Sequence, residues 1–108
     1  MTVLFVHCTC PDAAVAERIA RSLVEQRLAA CVSIGTPVQS IYRWDGAIEQ
    51  ADEVPIVIKT TASRLDEIKV HILLSHPYEL PEIVAVEATA GLDRYLGWIR
   101  ASTEPQSE

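Results

Sequence analysis

With four glycines among 108 residues, the chain has no glycine-rich loop to cradle a phosphate. It also lacks a nucleophile elbow and the paired histidines of a metalloprotease helix. These absences argue against an enzyme and against an organic cofactor. Basic side chains are scarce: 9 Lys and Arg stand against 15 Asp and Glu, a net charge of -6. A phosphate-backbone partner needs clustered cations, so nucleic acid is excluded. No apolar run approaches the length of a membrane span, and the first residues lack the basic, apolar, small-residue layout of a signal peptide. No membrane association is expected, and the default location is cytoplasmic. The three cysteines fit a reducing compartment: Cys8 and Cys10 are two apart and poorly placed to bridge, which leaves Cys31 without a partner.

What the chain does have is apolar surface. At 49% hydrophobic residues, it is richer than a single modest core of this size needs. Residues 1–102 read as one domain and 103–108 as a polar, disordered tail. Thr2 to Thr9 carries a β-prone run, Val3, Leu4, Phe5 and Val6, and then meets Pro11 and Asp12, which suit the first turn of a helix. From there Val15, Ala16, Ile19, Ala20, Leu23, Val24 and Leu28 recur at helical spacing, with charged residues opposite. Cys31 to Trp44 and Ala47 to Thr61 form two arms of a hairpin joined at Asp45-Gly46, with a kink near Gly35 to Pro37. Pro55 interrupts the second arm and predicts a bulge or an edge position there.

Ser63 and Asp66 have capping-box spacing and open a helix in which Leu65, Ile68 and Ile72 share a face, ending near Ser75. Glu82 to Ala88 is the last core strand, Gly91 breaks it, and Leu92 to Ala101 forms a terminal helix. The order is β-α-β-β-α-β with an added C-terminal helix: an α+β, ferredoxin-like sandwich with helices on one sheet face. Val3 to Val6, Ile56 to Ile58 and Ile83 to Val86 are apolar at consecutive positions, so both faces of those strands ask for cover. With no further helix to provide it, a homo-oligomer with sheet faces turned inward is expected.

The densest local chemistry lies in His76, Pro77, Tyr78, Glu79, Leu80, Pro81 and Glu82, where two prolines stiffen a turn holding an imidazole, a phenol and two carboxylates. Read with the other segments, this stretch resembles the CutA family of divalent-cation tolerance proteins. Cys8, Thr9, Pro11 and Asp12 fit its opening motif, and Leu28 to Val32 fit Leu-Ala-Ala-Cys-Val. Ser40 to Trp44 with Gly46 fit the hairpin motif, Ile58, Lys59 and Thr60 precede the proline turn, and Tyr95, Trp98 and Ile99 fit the ending. The ordered set spans residues 3 to 100. The resemblance implies a homotrimer, similar in fold to the PII signalling proteins, that contributes to divalent metal ion tolerance by binding copper or another divalent ion. It also implies a metal role for Cys8 and His76.

The residue chemistry agrees with that ligand pair. Cys8 ends the first strand and offers a soft thiolate, while His76 offers an imidazole on the turn that feeds the last strand. A buried structural thiol beside a helix-capping histidine fits the same spacing. Ser75 stands where some family members carry a second histidine, so weak binding is expected. Strand alternation turns His7 away from Cys8, and Cys10 shares the side of Cys8 only if the strand outlasts Thr9, against which Pro11 argues. Cys31, between alanine and valine, reads as a small core residue. Tyr42, Arg43 and Trp44 suit ligand stacking or an oligomer interface, and Lys59, Tyr78 and Glu79 suit an inter-subunit cleft or a salt-bridge network. The alternative to metal tolerance is a PII-like small-molecule sensor or interaction module without a physiological metal.

Overall fold

Alternating burial along the first strand organises the molecule, seen here in a computed structural model that describes residues 1–105. In β1, Val3–Cys10, the side chains of Leu4, Val6, Cys8 and Cys10 enter one apolar core. The intervening Phe5 and Thr9 are half-buried and His7 is exposed on the other face. The strand thus continues to Cys10, beyond the expected stop, and Pro11 acts only after Cys10 has been set on the Cys8 side. Asp12 then caps α1, Ala13–Glu25, its Oδ1 accepting from the Val15 amide at 2.9 Å. Ala16, Ile19, Ala20 and Leu23 form the buried face of this helix, as their spacing predicts, while Val24 is exposed.

The end of α1 is closed by a residue with a cost. Arg27 takes the left-handed conformation, φ 60°, while Leu28 and Arg27 donate to the carbonyls of Leu23 and Val24 at 3.0 Å each. The strain of a side chain at that position is offset by its guanidinium, which donates to the Ala101 and Glu104 carbonyls at 2.9 and 3.1 Å. β2, Cys31–Ile34, and β3, Val38–Trp44, follow, and Asp45 and Gly46, both at positive φ, turn the chain tightly into β4, Ala47–Thr61.

The strands make one antiparallel sheet in the order β2-β4-β1-β5, with β3 pairing the first half of β4. Pro55 causes no bulge in its own strand, since β1 and β4 pair without interruption from Val3 with Thr61 to Cys10 with Val54. The irregularity lies opposite it. β2 ends with Ile34 facing Ile56 and β3 begins with Val38 facing Glu53, so residues 35–37 stand against only Val54 and Pro55. The missing proline N–H falls where the partner strand is already broken.

Beyond that break, β3 and the start of β4 project as a two-stranded ribbon, which lengthens the molecule to 47 × 31 × 22 Å. The radius of gyration is 14.6 Å, against about 13 Å for a compact chain of this length. A short 3₁₀ turn, Ala62–Arg64, leads into α2, Leu65–Ser75, which buries Ile68 and Ile72 against the sheet. The expected capping box is not formed: Ser63 bonds Thr61 instead, and α2 has no side-chain cap.

β5, Val84–Glu87, pairs with β1, and α3, Asp93–Ser102, follows. α3 corrects the expectation that no helix reaches the second sheet face. Lys59, which shares that face with Phe5, lies 5.8 Å from the Phe5 ring and 6.0 Å from the Tyr95 ring of α3. Ile99 and Val3 are buried at that end, outside the main core. The rest of the face stays open. Val84 and Val86 of β5 lie opposite His7 and Phe5 and are 53% and 51% exposed. Cys31 also belongs there, paired with Lys59 and half-buried, and not in the core between helices and sheet. Thr103, assigned to the tail by the sequence, is 2% exposed and donates to the Ile99 carbonyl at 2.9 Å. Residues 106–108 of that tail lie outside the described residues.

Candidate metal centre

The end of β1 meets the end of α2. His76 is the C-terminal cap of α2, in extended conformation before Pro77, and its amide donates to the Ile72 carbonyl at 2.8 Å. Arg18 of α1 donates to the Ser75 carbonyl at 2.8 Å and satisfies another carbonyl of the final turn. These contacts hold the His76 ring beside β1, where its Nε2 lies 2.8 Å from the Thr9 carbonyl oxygen. Thr9 sits between Cys8 and Cys10, so the ring is delivered to the two thiols. One ligand atom from each of Cys8, Cys10 and His76 lies within 4.8 Å of the other two, and all three residues are buried.

Both sequence-predicted ligands, Cys8 and His76, are therefore brought together. Cys10 joins them because β1 runs one residue further than expected, which places it on the side of Cys8. His7 is exposed on the other face, and Cys31 is not in the cluster. The usable signal for Cys10 was its two-residue spacing from Cys8, and the weight given to Pro11 concealed it.

The two thiols do not titrate alike. Each thiol is the largest influence on the other: Cys10 raises Cys8, with burial and the Glu82 and Glu53 carboxylates adding to the rise, and Cys8 lowers Cys10 against the effect of burial. The proton is thus held more firmly on Cys8 than on Cys10. Cys8 Sγ also approaches the Thr9 carbonyl at 3.7 Å, a longer and weaker contact. Beside the cluster, Tyr78 stacks obliquely on His76 with ring centroids 4.7 Å apart. Burial, reinforced by Glu53, pushes its phenol up to about 12, so it remains protonated throughout the physiological range.

The donor set fits a thiophilic ion. Two sulfurs each about 2.3 Å from one ion lie at most about 4.6 Å apart, within a few tenths of the span present. Thiolate and imidazole donors suit copper and zinc better than magnesium or calcium, which take oxygen ligands.

The family model described as CutA1 divalent ion tolerance protein matches residues 4–102. The divalent-cation tolerance protein CutA of Thermus thermophilus is 43% identical over 98 residues, covering 91% of this chain and 95% of that protein. A solved structure of the Thermus thermophilus protein superposes with a TM-score of 0.93 at 41% identity, covering 94% of this chain and 99% of that one. The chloroplastic CutA of Arabidopsis thaliana is 36% identical over 100 residues; the match covers 93% of this chain and 55% of the plant protein. The structure of a protein described as the periplasmic CutA of Archaeoglobus fulgidus superposes with a TM-score of 0.91 at 37% identity, covering 94% and 99% of the two chains.

These relatives overturn the expected cytoplasmic location, since one is described as periplasmic and another as chloroplastic. Among the described residues no helix is long and apolar enough to cross a membrane. The matched family is named for ion tolerance, and the fold, the motif order and the sequence identity agree: the chain belongs to the CutA1 divalent ion tolerance protein family.

Proposed function

We propose that this protein contributes to tolerance of divalent metal ions, copper foremost, by holding the ion at the cluster that contains Cys8 and His76. The observation that carries the reading is the approach of Cys8, Cys10 and His76 to within 4.8 Å in a buried setting. With few ligands and no preformed four-donor cage, binding is modest and reversible. Titration calorimetry of Cu and Zn ions with thiol-reduced protein tests it: saturable binding at one site per chain is expected, and no heat from either metal refutes it.

The working form is a homotrimer. The open sheet face with Val84 and Val86, and the projecting ribbon with Ile41, Tyr42, Trp44 and Ile48 exposed, form a surface that a lone chain leaves wet. Two-stranded ribbons are marginal alone, and copies of the same chain supply matching apolar faces without a further partner. Native mass spectrometry decides the stoichiometry, and a monomer at micromolar concentration removes this part of the reading.

A further inference from the structure

The His76 ring is already committed. The Thr9 carbonyl oxygen can only accept, so Nε2, 2.8 Å away, carries the proton. Nδ1 is 3.1 Å from the Tyr78 amide and accepts from it. The imidazole is neutral, both nitrogens are used, and neither presents a free lone pair to an ion. For His76 to ligate through Nδ1, the Tyr78 amide must be released; for it to ligate through Nε2, the bond to Thr9 must be lost and the proton with it. The thiols carry no such commitment. The Cys8 contact to Thr9 is 3.7 Å, and Cys10 has no further hydrogen bond among those of the described residues.

We propose that Cys8 and Cys10 are the primary ligands of this centre, forming a two-thiolate site for a soft monovalent ion, Cu(I), with His76 as a positioning residue and not a ligand. The proposal rests on the metal-tolerance reading above and names the oxidation state and the residues that carry it. Cys8 and Cys10 are on the same side of β1, a strand repeat of about 6.7 Å apart at the backbone, so their sulfurs converge on a common point with no movement of the strand. Each sulfur that ligates donates an electron pair and releases its proton to solvent; no electron is transferred, and copper remains in the +1 state. A d¹⁰ soft ion accepts two thiolates, whereas zinc is four-coordinate in structural sites and takes three protein ligands in catalytic ones. Among the described residues no carboxylate joins the cluster to complete a zinc site. His76 acts through Thr9: its N–H fixes the carbonyl between the two cysteines and with it the direction of both side chains. Of the segment 77–83, which lies in no helix or strand, Tyr78 holds the ring, through its amide and its own ring.

The test is anaerobic competition between reduced protein and the chromogenic chelator bicinchoninate for Cu(I), with X-ray absorption to identify the donor atoms and Ag(I) and Zn(II) as comparison ions. Cys8→Ser, Cys10→Ser and Cys10→Ala are each expected to weaken Cu(I) binding by about a hundredfold or more, beyond the loss usual for an outer-shell partner. His76→Gln, which keeps a donor for Thr9, is expected to stay within about tenfold of the parent and to leave a sulfur-only absorption signature. Ag(I) should follow Cu(I) through the series. Circular dichroism confirms the folding of each variant, and the paired Ser and Ala replacements separate loss of a ligand from loss of packing. If Cys10→Ser and Cys10→Ala bind as the parent does while His76→Gln loses the ion, or if nitrogen appears in the first shell, the site is Cys8 with His76 and this inference fails while metal tolerance stands. If the parent binds neither Cu(I) nor Ag(I), both fail.

Discussion

Val86→Asp separates folding of the chain from assembly. Val86 lies in β5, opposite Phe5 of β1, on the sheet face away from α1 and α2, and half of its surface, 51%, is open in a single chain. In a monomer such a site is ordinary surface, where substitution usually changes stability by about 0.5 kcal/mol or less. In a trimer with inward faces, full burial of a valine is worth about 1.5–3 kcal/mol, so the open half leaves about 1 kcal/mol per copy and about 3 kcal/mol for three. Removing that contribution alone lowers the association constant about a hundredfold. Burying an unpaired carboxylate adds several kcal/mol per copy. The expected outcome is a chain with parental far-ultraviolet circular dichroism that runs as a monomer in native mass spectrometry and light scattering at micromolar concentration. Val84→Asp, on the same face two residues away, should behave alike. A Val86→Asp protein that remains trimeric and as heat-stable as the parent shows that this face is not between subunits.

Trp44→Ala, at the 48%-exposed tip of the ribbon, should reduce trimer content while secondary structure persists, since a projecting aromatic has little to anchor within its own chain; light scattering beside circular dichroism checks it. Thr60→Val should cost about 1–3 kcal/mol in denaturant unfolding, because the fully buried Thr60 hydroxyl donates to the Leu28 carbonyl at 2.7 Å and the variant leaves that oxygen without its donor. Stability should also fall in mild acid through His71, whose pKa burial lowers. Its Nε2 meets Ser22 Oγ at 2.8 Å, Gln26 donates to that same Oγ, and Nδ1 is buried without a partner, while Asp66 and Glu67 line the adjoining groove. The unfolded chain protonates first, so this stability is whole above about pH 6.5 and is lost as pH falls from there towards the lowered folded value. A thermal-unfolding profile from pH 8 to 5 that is no flatter in His71→Gln than in the parent refutes it.

Segments whose fate is decided by local pattern were legible in the chain. The period of Ala16, Ile19, Ala20 and Leu23 marked α1, Asp45-Gly46 marked the ribbon turn, and β4 occupies the whole of Ala47–Thr61 as its β-branched run required. Departures arose where a specific partner outweighed the pattern of residue types. Pro55 lost its expected bulge because the chain break fell in β2–β3 opposite it. Ser63 left its capping role for Thr61, and Thr103 caps the end of α3, its hydroxyl donating to the Ile99 carbonyl one turn back.

The candidate site divides in the same way. Cys8 and His76 were legible from residue chemistry and motif order, but the role of each ring nitrogen depends on a carbonyl 67 residues away in sequence and an amide two residues away. No spacing rule encodes that arrangement, because it requires β1 to reach Cys10 and α2 to stop at Ser75 together. Once both happen, Thr9 is the hinge of the centre: its side chain faces away from the core, its carbonyl accepts a hydrogen bond from His76 Nε2, and its neighbours on either side turn their sulfurs inward. The fold therefore uses the imidazole to set the backbone between two thiols. That arrangement favours a site whose affinity resides in sulfur and whose geometry is set by histidine.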